Sequence, residues 1–496
     1  MHHIITFAYI MLPIFCHASS FATEHVAVII SYDPSNAYQE LGSVKITTHQ
    51  QISEKVTLAQ QAFVSWSMLT ITERVAILED VYGKLVAQRD RIAALSSQEI
   101  GMPLTLCKRI DVDAGLMYLR GYLDHAQEWL SPEVTFENDT ETHTLSFEGR
   151  GVASVVAAWN YPFCNFVWGV MQNLIVGNTV VFKHSEECPL MGVLLEEILN
   201  TTKLPKGVFN VVHGAGSDTG EYLMNSNIDI IHFTGSSKVG KHLYQIAAEK
   251  FIPVVLELGG SAAGIVFADA NISETIESIY CNRFVNSGQV CDGLKRLIVH
   301  RSCYDTVIEG LVKILSEKHV GPANDPQTDI GPLVAERQVR TLDQQVTDAL
   351  NKGAKIITGG YRPENIYGAY YQPTILTNIS SDMRIWKEEV FGPVLPVVVF
   401  DTFEEAMALA NDTPYGLGGY IYTQNEKLAA RASRLLKTGN ISVNGADYVI
   451  PSGTFGGCKM SGIGREHGKH GLRELCIVKL VATKKQPVTE PVEVIS

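Results

Sequence analysis

The sequence predicts an α/β protein: a doubly wound parallel sheet, a second α/β unit and a small β extension. Three observations carry this prediction. Val/Ile-rich runs at 152–158, 179–183, 208–212, 229–233 and 253–258 alternate with helix-like stretches of about a dozen residues, the pattern of buried parallel strands covered on both faces. From about 262 to 440 a less regular version follows, with strand-like runs near 295–300, 354–357 and 395–400. Residues 133–148 alternate in polarity around an Asn-Asp turn and predict a hairpin, and 476–482 (Cys-Ile-Val-Lys-Leu-Val-Ala) predicts one more strand.

Ahead of the sheet, residues 53–130 read as helical. Thr70-x-x-Glu73 has the form of a capping box, and Val75, Leu78, Tyr82 and Leu85 follow at helical spacing. A chain of 496 residues exceeds what one hydrophobic core supports, so more than one folding unit is expected. Hydrophobic content of 46% and charged content of 19% are those of an ordinary globular protein. The formal charge of −13 argues against nucleic acid or an anionic membrane surface as the main partner.

Nine cysteines are dispersed without Cys-x-x-Cys or His-x-x-x-His clusters, a usage that fits reduced thiols in the cytoplasm and neither a disulfide framework nor a metal site. The N-terminus complicates that reading. An apolar run from Ile4 to Phe15 precedes small residues at Ala18 and Ala22, as in an export signal, but no Lys or Arg comes before it. Residues 1–25 are therefore read as a non-globular extension, with export as the alternative. The run is too short to span a membrane as a helix.

The polar motifs fall where strands end, the usual place for ligands in such sheets. Gly235-Ser-Ser-Lys-Val-Gly240 follows a strand and opens a helix-like stretch, either a pyrophosphate seat or a tight connection. Gly214-x-Gly216-x-x-x-Gly220 reads as a plain turn. Lys183-x-x-Glu186 is either a solvated charge pair or the edge of a dinucleotide site, where a carboxylate suits ribose hydroxyls and repels a 2′-phosphate. Asn160 could donate to an oxyanion or simply make a turn before Tyr161-Pro162. Cys291 follows a glycine-containing polar run and Glu257 ends an apolar strand, 34 residues apart, which suggests a covalent step followed by hydrolysis. The bland alternatives are a buried thiol on a helix and a carboxylate turned to water.

In order and register, these segments resemble the aldehyde dehydrogenase superfamily from about Val26 to Thr483. The resemblance rests on Trp159-Asn-Tyr-Pro162, Lys183-x-x-Glu186, Phe233-Thr-Gly-Ser236, Glu257-Leu-Gly-Gly260, Gly288-Gln-Val-Cys291, Glu388-Glu-Val-Phe-Gly-Pro393 and Phe455-Gly-Gly-x-x-x-Ser-Gly-x-Gly-Arg465. It implies that Cys291 is the nucleophile, that Asn160 with the Cys291 N–H holds the oxyanion, and that Glu257 activates the hydrolytic water. It implies NAD contacts from Trp159, Lys183, Glu186, Gly235, Ser236, Glu389 and Phe391, with NADP possible and Glu186 favouring NAD. The implied domains are a cofactor domain of 26–127 and 149–258, a catalytic domain of 259–465, and oligomerisation segments of 128–148 and 476–496, which predict a homodimer or homotetramer.

Trp168, Phe163, Val290, Tyr448 and Phe455 match substrate-pocket positions. Several succinate-semialdehyde enzymes have Arg where Trp168 stands, so an aliphatic, aromatic or cationic aldehyde is expected, because aromatic faces attract cations. Asn165 and Asp292 add polarity. Three departures from the family pattern affect subgroup: Ser261 replaces a Lys, Ala262-Ala263 replace a polar residue and a Pro, and Thr454 replaces a Pro. The alternatives are a semialdehyde dehydrogenase, a CoA-acylating enzyme, which generally lacks the base, and a non-catalytic protein, which predicts loss of the nucleophile or base.

Overall fold

The computed structural model describes residues 27–485; the signal-like run and the last eleven residues of the 476–496 segment lie outside them. Helix formation from 49 to 130 follows local chemistry. Thr70 caps the helix Ile71–Ala87: its hydroxyl accepts from the Glu73 N–H at 3.2 Å, while the Glu73 carboxylate accepts from the Thr70 N–H at 2.7 Å. Leu78 and Leu85 are fully buried on the face that packs against the helix Ala114–Leu130. A second capping box, Thr48 with Gln51, starts the preceding helix His49–Met68.

The first sheet runs Gly462–Ile463, Val254–Glu257, Ile230–Thr234, Val152–Val156, Thr179–Lys183, Phe209–Val212. All of its pairings are parallel except the first. The strand Thr179–Lys183 is buried along its whole length, which is why it reads as an unbroken apolar run. Strand order reverses between Val152–Val156 and Ile230–Thr234, and crevices form at such reversals. Asn160 and Gly235 leave the carboxyl ends of these two neighbours. Gly462–Ile463 falls inside the stretch expected in the second unit, yet it pairs antiparallel with Glu257 and Leu256. Only glycine permits this: Gly462 has φ +141°, and a Cβ there would lie 1.9 Å from the Leu256 carbonyl oxygen.

The second sheet has the order Lys355–Thr358, Thr374–Thr377, Val394–Phe400, Leu294–His300, Ala262–Val266, Gly419–Tyr422, Ser442–Val443. Four of these strands have no counterpart among the sequence-predicted runs. Ala262–Val266 begins Ala-Ala-Gly, and Ser442–Val443 is two residues long, so neither has a local β signal; pairing across the sheet makes them strands. A third, antiparallel sheet joins Glu133–Glu137, Glu141–Gly149 and Cys476–Lys484. An additional hairpin, Val28–Asp33 with Gln39–Lys45, precedes the helices. No helix among the described residues is long and apolar enough to cross a membrane.

Candidate active site

Cys291 is not on a helix. The helix Ile272–Phe284 stops, and Asn286, Ser287 and Gly288 all take positive φ (50°, 54° and 73°), which reverses the chain. Two non-glycine residues held in the left-handed region cost about 1–3 kcal/mol each, so the surroundings must fix them. They do so through side chains: Asn286 donates to the Asn160 carbonyl at 2.9 Å and Ser287 to the Gly331 carbonyl at 2.7 Å. The Gln289 amide oxygen accepts from the Val334 N–H at 2.9 Å. A Cβ on Gly288 would lie 2.4 Å from the Gly392 carbonyl oxygen, so the nucleophile loop lies against the segment that carries Glu389 and Phe391.

Asn160 is 5% exposed and oriented at both ends of its amide. Its Nδ2 donates to the Gln289 carbonyl at 3.2 Å, and its Oδ1 accepts from Asn165 Nδ2 at 3.2 Å. The second N–H of Asn160 remains available for an oxyanion formed at Cys291, the arrangement in which such donors are most effective.

Glu257 ends its strand with its main-chain oxygen accepting from the Gly235 N–H at 2.9 Å. Its carboxyl group is buried, and neither oxygen has a protein hydrogen-bond partner. Burial, and then the neighbouring Glu466 carboxylate, push its pKa well above the usual carboxylate range. Glu466 divides the charge differently. Burial raises it, but the His232 Nε2 contact at 2.5 Å outweighs that and holds it below its usual value. Glu257 is thus the member of the pair pushed toward its neutral form, and Glu466 the one pushed toward its charged form. Burial, then Asp292, also push the Cys291 thiol up, with Lys295 opposing.

Cys291, Glu257, Asn160 and Thr234 share one cavity of about 480 Å³, together with Trp168, Val290, Tyr448 and Phe455. Phe163 is not in its wall. It is fully buried in the helical core against Phe166, and a Cβ on Gly115 would lie 2.6 Å from its ring. Asn165 and Asp292, expected from the sequence to add polarity, line the cavity as well. Asp447, Arg109, Glu466 and His467 also line it and are not singled out by the sequence reading. Of these four, only Glu466, directly after the Gly-x-Gly-Arg465 motif, has a sequence signal that could find it.

The nucleotide-side residues form two groups. In the first, Lys183 is buried at its strand end and donates from Nζ to the His184 carbonyl at 3.2 Å. Glu186 is exposed and accepts from the Gly216 N–H at 2.7 Å. Gly216–Gly220, expected as a plain turn, is helical and covers the Lys183 stem. Ser236 caps the helix Ser237–Lys250, and a Cβ on Gly235 would lie 2.4 Å from the Phe233 ring. This open helix start, beside a ribose-suited carboxylate, fits a dinucleotide pyrophosphate.

In the second group, Trp159 meets Phe391 edge-on at 5.5 Å. Glu389 accepts from the Gly260 N–H at 3.0 Å and pairs with the buried Lys295, whose ammonium lies 4.9 Å over the Phe391 ring. The second group adjoins the Cys291 loop.

A sequence profile described as "Aldehyde dehydrogenase family" matches residues 21–481. The chain is 34% identical over 450 residues to aminoaldehyde dehydrogenase 1, peroxisomal, of Pisum sativum, covering 89% of this chain and 90% of that one. It is 34% identical over 462 residues to 2-hydroxymuconic semialdehyde dehydrogenase of Pseudomonas sp. (strain CF600), covering 91% and 95%. Among solved structures, the NAD+ complex of an aldehyde dehydrogenase from Bacillus cereus is similar with a TM-score of 0.89 at 30% identity, covering 93% and 94%.

Proposed function

The chain belongs to the aldehyde dehydrogenase family, oxidoreductases that act on aldehydes with NAD(P), and we propose that it uses NAD to oxidise an aliphatic, aromatic or cationic aldehyde to the acid. The observation that carries this reading is the single cavity shared by the Cys291 thiol, the Asn160 amide and the buried Glu257 carboxyl group, whose oxygens have no protein partner.

Burial raises the Cys291 thiol, the nearby Lys295 ammonium opposes that and favours the thiolate, and the proton leaves to solvent through the cavity. The sulfur then forms a bond to the carbonyl carbon. Asn160 Nδ2 and the Cys291 N–H stabilise the resulting oxyanion, a contact of the kind worth about 3 kcal/mol. Trp159, Lys183, Glu186, Gly235, Ser236, Glu389 and Phe391 would hold NAD, which would supply the hydride acceptor needed to turn the Cys291 adduct into a thioester. Glu257 takes a proton from water, the hydroxide adds to the acyl carbon, and the carbon–sulfur bond breaks. The acid leaves, the thiolate returns, and Glu257 gives its proton to solvent.

Glu186 supports NAD over NADP, because an exposed carboxylate at the ribose edge repels a 2′-phosphate. Trp168 and Tyr448 in the cavity wall support an aliphatic, aromatic or cationic substrate over a dicarboxylic semialdehyde. One observation favours the second reading, a semialdehyde: the exposed Arg109 on the cavity rim suits a carboxylate. Comparing kcat/KM for hexanal, benzaldehyde, betaine aldehyde and succinic semialdehyde decides, and preference for the last overturns the first reading. If the wild type forms no NADH with any aldehyde and matches Cys291→Ala, the enzymatic reading itself fails.

A homodimer or homotetramer also belongs to this proposal. The third sheet leaves Val478, Leu480 and Val481 exposed on its outer strand, the kind of edge that proteins cover by pairing. A monomer by light scattering contradicts it. The described cysteines are all free thiols, which supports a cytoplasmic setting over export.

A further inference from the structure

Asp292 has no part in the steps above, yet its side chain lies in the same cavity, 9% exposed. One carboxylate oxygen, Oδ2, accepts from the Tyr448 hydroxyl at 2.7 Å, and the other, Oδ1, lies 3.9 Å from Cys291 Sγ. The main chain is held as well: the Asp292 carbonyl accepts from the Tyr420 hydroxyl at 3.0 Å. Two tyrosines therefore set where this carboxylate points.

A carboxylate has about four acceptor positions, and a phenol with a distant thiol leaves most of them unmet. Holding such a group in a buried wall is costly unless a cation or donor joins it. The surrounding wall favours a cation over a neutral donor. Tyr448, Trp168 and Phe455 offer aromatic faces, and Asp447 adds a second carboxylate at the rim. Of the fixed cations near it, Arg109 is exposed at the mouth, and the buried Lys295, which acts on Asp292 from outside the cavity wall, is already paired with Glu389. Burial pushes the Asp292 carboxyl above its usual value, and an arriving ammonium group would restore its charge.

We propose that Asp292 and Tyr448 form a subsite for the ammonium group of a short ω-amino aldehyde. The inference rests on the aldehyde-oxidising reading above and narrows it to one substrate class. Because Oδ1 stands so close to the sulfur, the cation must sit only a few bonds from the carbonyl carbon, as in 3-aminopropanal. Longer chains carry their charge past this pair.

The test compares kcat/KM for 3-aminopropanal, butanal and 3-hydroxypropanal, which share chain size and differ in the terminal group. The wild type should prefer 3-aminopropanal over butanal by about tenfold or more, the scale of one modest ionic contact. Asp292→Asn should lower that ratio by about tenfold, and Tyr448→Phe by a few-fold. Equal rates for the two substrates in the wild type overturn the subsite, as does a 3-hydroxypropanal preference that tracks 3-aminopropanal. An equal loss on all three aldehydes in Asp292→Asn, together with loss of the initial NADH burst, also overturns it, because Asp292 then acts on the thiol.

If Asp292→Asn does not fold, inhibition of wild-type butanal oxidation decides. Propylammonium should compete at least about tenfold more strongly than propanol, and equal inhibition sinks the proposal. Butanal turnover without amine preference removes only the subsite. Silence with every aldehyde removes the parent reading instead.

Discussion

Lys295 donates to Glu389, and the same ammonium donates to the Cys291 carbonyl at 3.0 Å. One buried cation thus ties the nucleophile loop to the carboxylate proposed to hold the cofactor ribose. Burial pushes its pKa down and Glu389 pushes it back up, so the pair survives only as a unit.

Lys295→Met leaves Glu389 without its cation and frees the Cys291 carbonyl. Removing one partner of a buried pair costs about 3–5 kcal/mol; Glu389 is partly exposed, so a smaller share is expected here. The expected result is NAD binding weakened by about tenfold with a lower kcat, read by fluorescence titration and steady-state kinetics. Unchanged NAD affinity would falsify the link.

Glu257→Gln removes the water-activating base while keeping its shape. The enzyme should release a burst of NADH and then stall as the thioester, with steady-state turnover reduced by about 10²-fold or more. Acyl-enzyme seen by mass spectrometry after quenching checks this. In the wild type, a base whose pKa is raised is ionised only at higher pH, so deacylation should speed up as pH rises. A flat profile speaks against Glu257 as the base.

Glu99 gives a pH-dependent contribution to stability. Burial pushes it up to about 7, against hydrogen bonds from Ser31 at 2.7 Å and from the Leu190 and Met191 N–H groups at 2.9 and 2.8 Å. The folded state then holds a proton that the unfolded chain releases above its ordinary value of 4.5. Stability from this group is complete below that value and is lost as pH rises to about 7. The stability gap between wild type and Glu99→Gln should therefore shrink between about pH 5 and 8, measured by urea unfolding. A gap that widens reverses the sign and refutes the assignment.

Phe163→Ala should act on stability and not on the substrate pocket, because its ring lies in the helical core. A loss of about 3–5 kcal/mol is expected. At equal folded fraction, the ranking of aldehydes by kcat/KM should match wild type; a changed ranking would place the ring in the pocket after all.

What could be read from the sequence depended on how local each signal was. The capping box at Thr70 and Glu73 is legible because its donors and acceptors lie three residues apart. The strands of the first sheet are legible because burial on both faces demands apolar runs, as in Thr179–Lys183. Ala262–Val266 and Ser442–Val443 are legible only from their neighbours, since Ala, Gly and Ser have little strand preference and the ladder supplies it. Phe163 shows the opposite error: its place in the motif pointed to the funnel, but the helix containing it turns the ring inward.

For Cys291 and Glu257, the sequence by itself determined the residue types, their order and their positions at chain turns. The tertiary structure decided that burial and then Glu466 raise Glu257, that Lys295 joins the Cys291 loop to Glu389, and that Asp292 faces the cavity under Tyr448. The ion pair of Lys295 with Glu389 crosses 94 positions of chain, Asp292 with Tyr448 crosses 156, and Glu257 with Glu466 crosses 209. Desolvation and charge pairing act through space, so no periodicity or local motif records them.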